Sequence, residues 1–163
     1  MVKGPSEAIF REALSAIDIT PKFIYKPPDD ARNWKPCDYM LWIPQWLGGA
    51  PPQVATSAWF EVKESPNLAT FPLADIRPSQ WRGIVTAKQL GFPYFLAVRW
   101  KRNGMWSLVD AVRLADWRHG HGPDPAKVGV VTVSRVALES RFGVSCEPGQ
   151  LSSMIRAALT EGL

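Results

Sequence analysis

The sequence predicts an α/β fold, a central mixed β-sheet flanked by helices, and three observations predict it. An apolar stripe at helical spacing lies near the N-terminus. Two short aromatic and β-branched runs follow, separated by Gly/Pro-rich chain, and a second helical segment then leads into a hairpin signal. Helix, strand pair, helix, strand pair is an order that layers helices against one sheet.

Each element has its own warrant. Ser6 is placed to cap a helix from Glu7 to Ile17, with Ile9, Phe10, Ala13, Leu14 and Ile17 as its buried stripe. Phe23-Ile24-Tyr25 reads as a short strand ended by Pro27-Pro28, and Asp29 to Lys35 as a polar loop. Cys37 to Ile43 and Ala58 to Glu64 read as antiparallel neighbouring strands joined through Gly48-Gly49 and Pro51-Pro52. After a loop holding Phe71-Pro72-Leu73, Ser79 is placed to cap a helix that runs to about Leu90 and stops at Gly91, with Trp81, Ile84, Val85 and Leu90 as apolar positions. Tyr94 to Trp100 and Met105 to Val109 form a hairpin around Asn103-Gly104, a pair that tolerates positive φ. Beyond Asp116 the sequence predicts a loop from His119 to Pro125, a strand from Val128 to Val133, a short helix from Val136 to Phe142 and an amphipathic helix from Gln150 to Leu159. There is no internal repeat.

Composition bounds the class. With 163 residues, 46% hydrophobic and 21% charged, the chain is sized and balanced as one globular domain spanning 1–163, with a composition unlike that of disordered chains. The net charge of +4 is uneven: residues 1–82 carry 9 basic and 9 acidic groups, residues 83–163 carry 10 and 6. Acids gathered at a metal would leave the remaining surface more positive, which suits a polyanion. There are 2 cysteines, no signal-like segment, and no apolar run near the roughly 18 residues that a membrane span needs. The expectation is a cytoplasmic, reduced protein with no membrane partner.

The chemistry concentrates in Phe60-Glu61-Val62-Lys63. On a strand, Glu61 and Lys63 share a face while Phe60 and Val62 take the other, so an acid stands beside an amine. Asp38 on the preceding strand can pair with Glu61 as an oxygen-ligand site for Mg²⁺. A buried carboxylate next to a lysine is costly unless the charges serve each other or a metal; a plain ion pair on an edge strand is the simpler reading of the same residues. His119-Gly120-His121 lacks a third ligand and reads as a solvent-facing loop. Cys37 reads as a small buried residue. Trp42, Trp46, Trp100 and Trp106 could stack on unpaired bases, but tryptophans on strands are more commonly core.

Taken together, Lys26-Pro27, Asp38-Tyr39, Phe60-Glu61-Val62-Lys63-Glu64, Phe71-Pro72-Leu73 and Gln80 in Ser79-Gln80-Trp81 resemble the PD-(D/E)XK nuclease superfamily, and within it the RecU-type and archaeal-type Holliday-junction resolvases. The resemblance covers a core of about 4–115 and leaves a C-terminal extension of about 116–163. It implies a restriction-endonuclease-like fold, and a metal-dependent, structure-selective DNA endonuclease that cuts four-way junctions as a homodimer. By resemblance, Asp38, Glu61 and the Val62 carbonyl hold Mg²⁺, with Mn²⁺ able to substitute. Lys63 orients or activates the attacking water, Glu7 is the helix acid, and Gln80 approaches from its helix. Glu12, five positions from Glu7 and roughly 140° around the helix, cannot easily share that site; Gly4 to Glu7 matches the family's glycine-then-glutamate spacing. Arg82, Lys88, Lys101 and Arg102 are the expected phosphate contacts. The chain departs from the family in the long aromatic, proline-rich excursion from Trp42 to Thr56, in Trp81-Arg82, and in its tail. A viral or mobile-element member, such as a phage enzyme in host cytoplasm, fits the pattern. Another superfamily nuclease acting on duplex or flap DNA, and a non-catalytic DNA-binding module on the same fold, are the competing readings.

Overall fold

In a computed structural model, the described residues are 4–19, 22–28, 35–43, 57–119, 132–161 and 163. Residues 44–56 and 120–131 lie outside them, and with them most of the excursion after Trp42, Trp46, His121 and the start of the strand expected from Val128. The elements run α1 Pro5–Ala16, β1 Phe23–Tyr25, β2 Tyr39–Trp42, β3 Ser57–Ser65, β4 Thr70–Pro72, α2 Pro78–Leu90, β5 Tyr94–Trp100, β6 Trp106–Asp110, α3 Ala111–Arg118, β7 Thr132–Ser134, α4 Arg135–Ala137, β8 Gly143–Cys146 and α5 Leu151–Glu161. Six strands form one mixed sheet in the order β1-β2-β3-β5-β6-β8, and β4 pairs with β7 in a second. This is the helix-flanked α/β architecture that the sequence predicts.

Only β3 and β5 run parallel within the main sheet; its other neighbours are antiparallel. A parallel pair needs a crossover, and α2 lies in the connection between β3 and β5. The two faces of β3 then meet different layers. Ala58, Phe60 and Val62 join Phe10, Leu14, Tyr39, Trp106, Ile155 and Leu159 in a core against α1 and α5. Trp59 faces the other way, into a core with Ile84, Ala87, Leu96, Leu114 and Trp117 from α2, β5 and α3. Phe10 anchors the first core, its ring centroid 5.4 Å from Phe60 and 5.9 Å from Trp106. Burying a side chain of that size contributes about 1.5–3 kcal/mol.

Several local expectations are corrected. Both long helices start at a proline, Pro5 and Pro78, whose missing N–H costs nothing in the first turn. Gly4 and Arg77 are therefore the N-cap residues, and neither Ser6 nor Ser79 caps. Ser6 is instead buried and accepts a 3.4 Å hydrogen bond from Arg99 Nη1. Val85 and Leu90 are exposed; Gln80, Gly83, Ile84 and Ala87 make the buried face of α2. That helix ends as expected, with Gly91 in the left-handed region at φ 73°. In the β5–β6 hairpin Gly104 alone takes positive φ, because the connection is longer than a two-residue turn; Asn103 Oδ1 accepts from Met105 N at 3.1 Å.

The tail is not peripheral. β8 extends the sheet beyond β6, α5 packs on α1, and Ser152 Oγ donates to Ala13 O at 3.0 Å. A relay that is buried at its inner end fastens α4 and the chain after it to the hairpin: Trp100 Nε1 donates to Ser107 Oγ, which donates to Glu139, whose carboxylate also takes Arg135 Nε at 2.7 Å. Among the described residues no helix is long and apolar enough to cross a membrane.

Candidate active site

Asp38 stands where β2 leaves the sheet. Tyr39 is the ladder partner of Phe60, yet Asp38 N also donates to Phe60 O at 2.9 Å, so two residues oppose one in the manner of a β-bulge. The chain then turns away, and the Asp38 side chain takes over the vacated acceptor position, its Oδ2 receiving Val62 N–H at 2.9 Å. The two main-chain polar groups of one strand residue point to the same edge. Val62's carbonyl is therefore directed to the edge where the Asp38 carboxylate lies. Asp38 Oδ1 is held by Lys35 Nζ at 3.1 Å.

The segment carrying Asp38 is fixed from beneath. Tyr94 Oη donates to Pro36 O at 2.6 Å, and Cys37 is fully buried among the side chains of α2. Burial, reinforced by the Glu61 charge, pushes the Cys37 thiol far up, so it stays protonated and serves as packing. Gly83 closes the contact from α2: a Cβ there would lie 2.3 Å from Pro36 O and 3.1 Å from Pro36 Cα.

Glu61 is 2% exposed. Its Oε1 is held by Lys63 Nζ at 2.9 Å and by Gln80 Nε2, while its Oε2 is buried with no hydrogen-bond partner. Burial, then the facing charge of Asp38, pushes the Glu61 carboxyl up to about 8, against the opposing pull of Lys63. Gln80 is a hub. Its Oε1 accepts from Lys63 Nζ at 3.0 Å and from Arg77 N at 2.8 Å, so the residue that closes the first turn of α2 also orients the carboxylate and amine of β3.

Asp38, Glu61, Lys63 and Gln80 thus converge, and Val62, next to Glu61 on β3, meets Asp38 through its main-chain N–H. Glu7 is held elsewhere: its Oε2 pairs with Lys26 at 2.5 Å, and its main-chain carbonyl accepts from Tyr39 Oη at 3.2 Å. Among the described residues no three His, Cys, Asp or Glu side chains gather closely enough to hold a metal ion. The acids here are a pair. Of the expected phosphate contacts, Arg82 and Arg102 are exposed, Lys88 is paired to Asp116 at 2.7 Å, and Lys101 to Glu64 at 3.0 Å. Lys35 was not singled out from the sequence; its signal was a cation three residues before Asp38, at the end of a stretch read only as polar loop.

No family model matches this chain, and no curated protein does. Among solved structures it is similar to Hjc of Archaeoglobus fulgidus, described as a Holliday junction resolvase from an archaeal hyperthermophile. The identity is 14%, the match covers 90% of this chain and 97% of that one, and the TM-score is 0.49.

Proposed function

We propose that this chain is a Mg²⁺-dependent, structure-selective DNA endonuclease that hydrolyses phosphodiester bonds at four-way junctions and acts as a homodimer. The observation that carries the reading is the buried Glu61 carboxyl set against the Asp38 carboxyl, with no donor group at its Oε2. Each acid already has one ammonium, Lys63 on Glu61 Oε1 and Lys35 on Asp38 Oδ1. The buried Oε2 of Glu61 has no donor beside it, and a proton or a metal cation there would relieve the facing pair. Hard oxygen donors fit Mg²⁺, which takes one or two carboxylates and completes its shell with water and substrate phosphate. A pair therefore fits without a third acid.

Asp38, Glu61 and the Val62 carbonyl would hold the ion, which when bound supplies Lewis acidity to a phosphate oxygen. The rest is done by side chains already in place. Lys63, anchored by Glu61 and Gln80, holds its ammonium at a fixed point where it can hydrogen-bond an attacking water and offset charge developing on phosphate. Gln80 keeps that amine from swinging away. Arg82 and Arg102 are free to meet phosphates without reading bases. The ordered motif around Asp38-Tyr39, Phe60 to Glu64 and Phe71 to Leu73 supports the junction substrate, and cutting opposed strands calls for two sites, hence a dimer.

Incubating four-way junction, flap, nicked and linear DNA at equal concentration with Mg²⁺ tests this. The junction is expected to be cut fastest and in opposed strands, with Ca²⁺ supporting binding but not turnover. Equal cutting of linear duplex would remove the resolvase assignment, and no cutting of any form with Mg²⁺ or Mn²⁺ would remove the nuclease.

A further inference from the structure

Three of the four carboxylate oxygens in the site are engaged, and their holders differ in kind. Asp38 Oδ2 takes Val62 N–H at 2.9 Å, a main-chain group of a central strand. Glu61 Oε1 takes Gln80 Nε2 and Lys63 Nζ, and those two side chains brace one another at 3.0 Å, with Gln80 tied in turn to Arg77 N. Asp38 Oδ1 takes Lys35 Nζ at 3.1 Å. Lys35 belongs to no strand or helix, and its side chain is 25% exposed against 14% for Lys63.

The main chain beside Lys35 is anchored, because Tyr94 Oη holds Pro36 O at 2.6 Å and Gly83 packs against the same carbonyl. The side chain is a flexible four-carbon stem reaching in from the solvent side. Its ammonium can therefore leave Asp38 without moving the carboxylate, which Val62 N–H keeps in place.

Charge makes that departure matter. Counted as fully ionised, the two carboxylates and the two ammonium groups cancel. A divalent cation added to all four leaves two positive charges in a site whose acids are nearly buried, and the departure of Lys35 halves that excess. Whichever oxygen of Asp38 such a cation used, Lys35 would stand on the same carboxylate, where like charges repel strongly. We propose that Lys35 is an internal counter-ion of the site: its ammonium neutralises Asp38 in the metal-free chain and is exchanged for the divalent cation. This rests on the nuclease reading of that site and adds a residue that sets how tightly the cation is held. The DNA-free chain then keeps its acids neutralised without metal and binds metal weakly, while a substrate phosphate brings negative charge to the same point and favours the exchange.

The test uses the full chain without DNA. Mg²⁺ affinity is measured by calorimetry at one pH on wild type, Lys35→Met, Lys35→Arg and Arg156→Gln, the last removing an exposed charge from α5, which packs on the opposite face of the sheet. Lys35→Met is expected to bind at least about fivefold more tightly, since a unit charge beside a divalent ion is gone. Lys35→Arg and Arg156→Gln should stay within about twofold of wild type, the one keeping the charge and the other losing a distant, screened one. A role confined to holding Asp38 in position predicts the opposite sign, weaker binding in Lys35→Met. Melts should follow the same exchange: Lys35→Met unfolds earlier than wild type in EDTA, and one Mg²⁺ concentration raises its melting temperature by more. Wild type alone supplies a third readout. Acetylation of lysine amines, followed residue by residue by mass spectrometry, should rise at Lys35 relative to surface-paired Lys88 when Mg²⁺ is added. Unchanged or weaker Mg²⁺ binding in Lys35→Met overturns the proposal, as does equal tightening in Lys35→Arg or Arg156→Gln, or Lys35 labelling that saturating Mg²⁺ leaves unchanged. Any of these in a protein that cuts DNA leaves the nuclease reading standing; a wild type that binds no Mg²⁺ and cuts no DNA removes both.

Discussion

Replacing Glu61 by glutamine is expected to slow cleavage at least about a hundredfold while making the metal-free protein more stable. The first effect follows from removing a ligand carboxylate and the partner that fixes Lys63, groups whose loss costs on that order in the chemical step. The second follows from burial. The Glu61 carboxyl is raised from its ordinary 4.5 to about 8, so the folded chain holds a proton that the unfolded chain has already lost. Stability from this group is full below about 4.5, declines as pH rises through the interval, and levels off above about 8. Glutamine removes that decline. The melting difference between Glu61→Gln and wild type in EDTA should be small at about pH 5 and largest at about pH 9. Lys63→Ala should lose cleavage to a similar degree but lower stability at high pH, because it strips Glu61 of its cation. Near-wild-type rates in either protein would remove the proposed site.

Gly83→Ala is expected to damage both folding and cleavage, although the residue touches no reacting group. Its new Cβ would meet the Pro36 carbonyl at 2.3 Å, and the obstacle is main chain, which cannot swing aside like a flexible side chain. Overpacking of this kind costs about 1–3 kcal/mol. Pro36 also lies two residues from Asp38, so any relief moves the carboxylate. A displacement near 1 Å at a catalytic group can cost roughly a hundredfold. Gly91→Ala is the control. It forces an alanine into the left-handed region, a strain of about 1–2 kcal/mol, but its Cβ meets nothing within 4 Å and it lies at the far end of α2. Both proteins should melt earlier, and only Gly83→Ala should lose cleavage. If Gly83→Ala cuts as well as Gly91→Ala, the Pro36 contact does not position Asp38.

The pairing of Glu61 with Lys63 was legible because strand alternation dictates it, and the helix bringing Gln80 was legible from its glycine stop, although of its expected apolar positions Val85 and Leu90 face solvent. What Gln80 does there was not, since its bond to Arg77 N depends on a helix start that Pro78 sets and Ser79 does not. Glu7 shows the limit of motif spacing. It sits on the expected helix, yet its charge goes to Lys26, a cation whose approach depends on how β1 pairs with β2. α3 and β8 went unread for different reasons. Asp110 announces α3 by accepting from Val112 N and Arg113 N at 3.0 Å, a cap signal hidden at the end of an apolar strand. β8 is short and half-exposed, with no alternation to mark it. The tryptophans divide as tertiary context dictates: Trp100 and Trp106 are core, Trp42 is open.

A calorimetric titration of the DNA-free protein with Mg²⁺, in buffers of different ionisation enthalpy on either side of about pH 8, addresses the paired acids most directly. The account predicts saturable binding that tightens as pH rises and releases close to one proton per ion below about 8, because the cation displaces the proton that Glu61 holds. Binding should be lost in both Asp38→Asn and Glu61→Gln. Mg²⁺ binding of unchanged affinity in those two proteins, with no proton released by wild type, would contradict it.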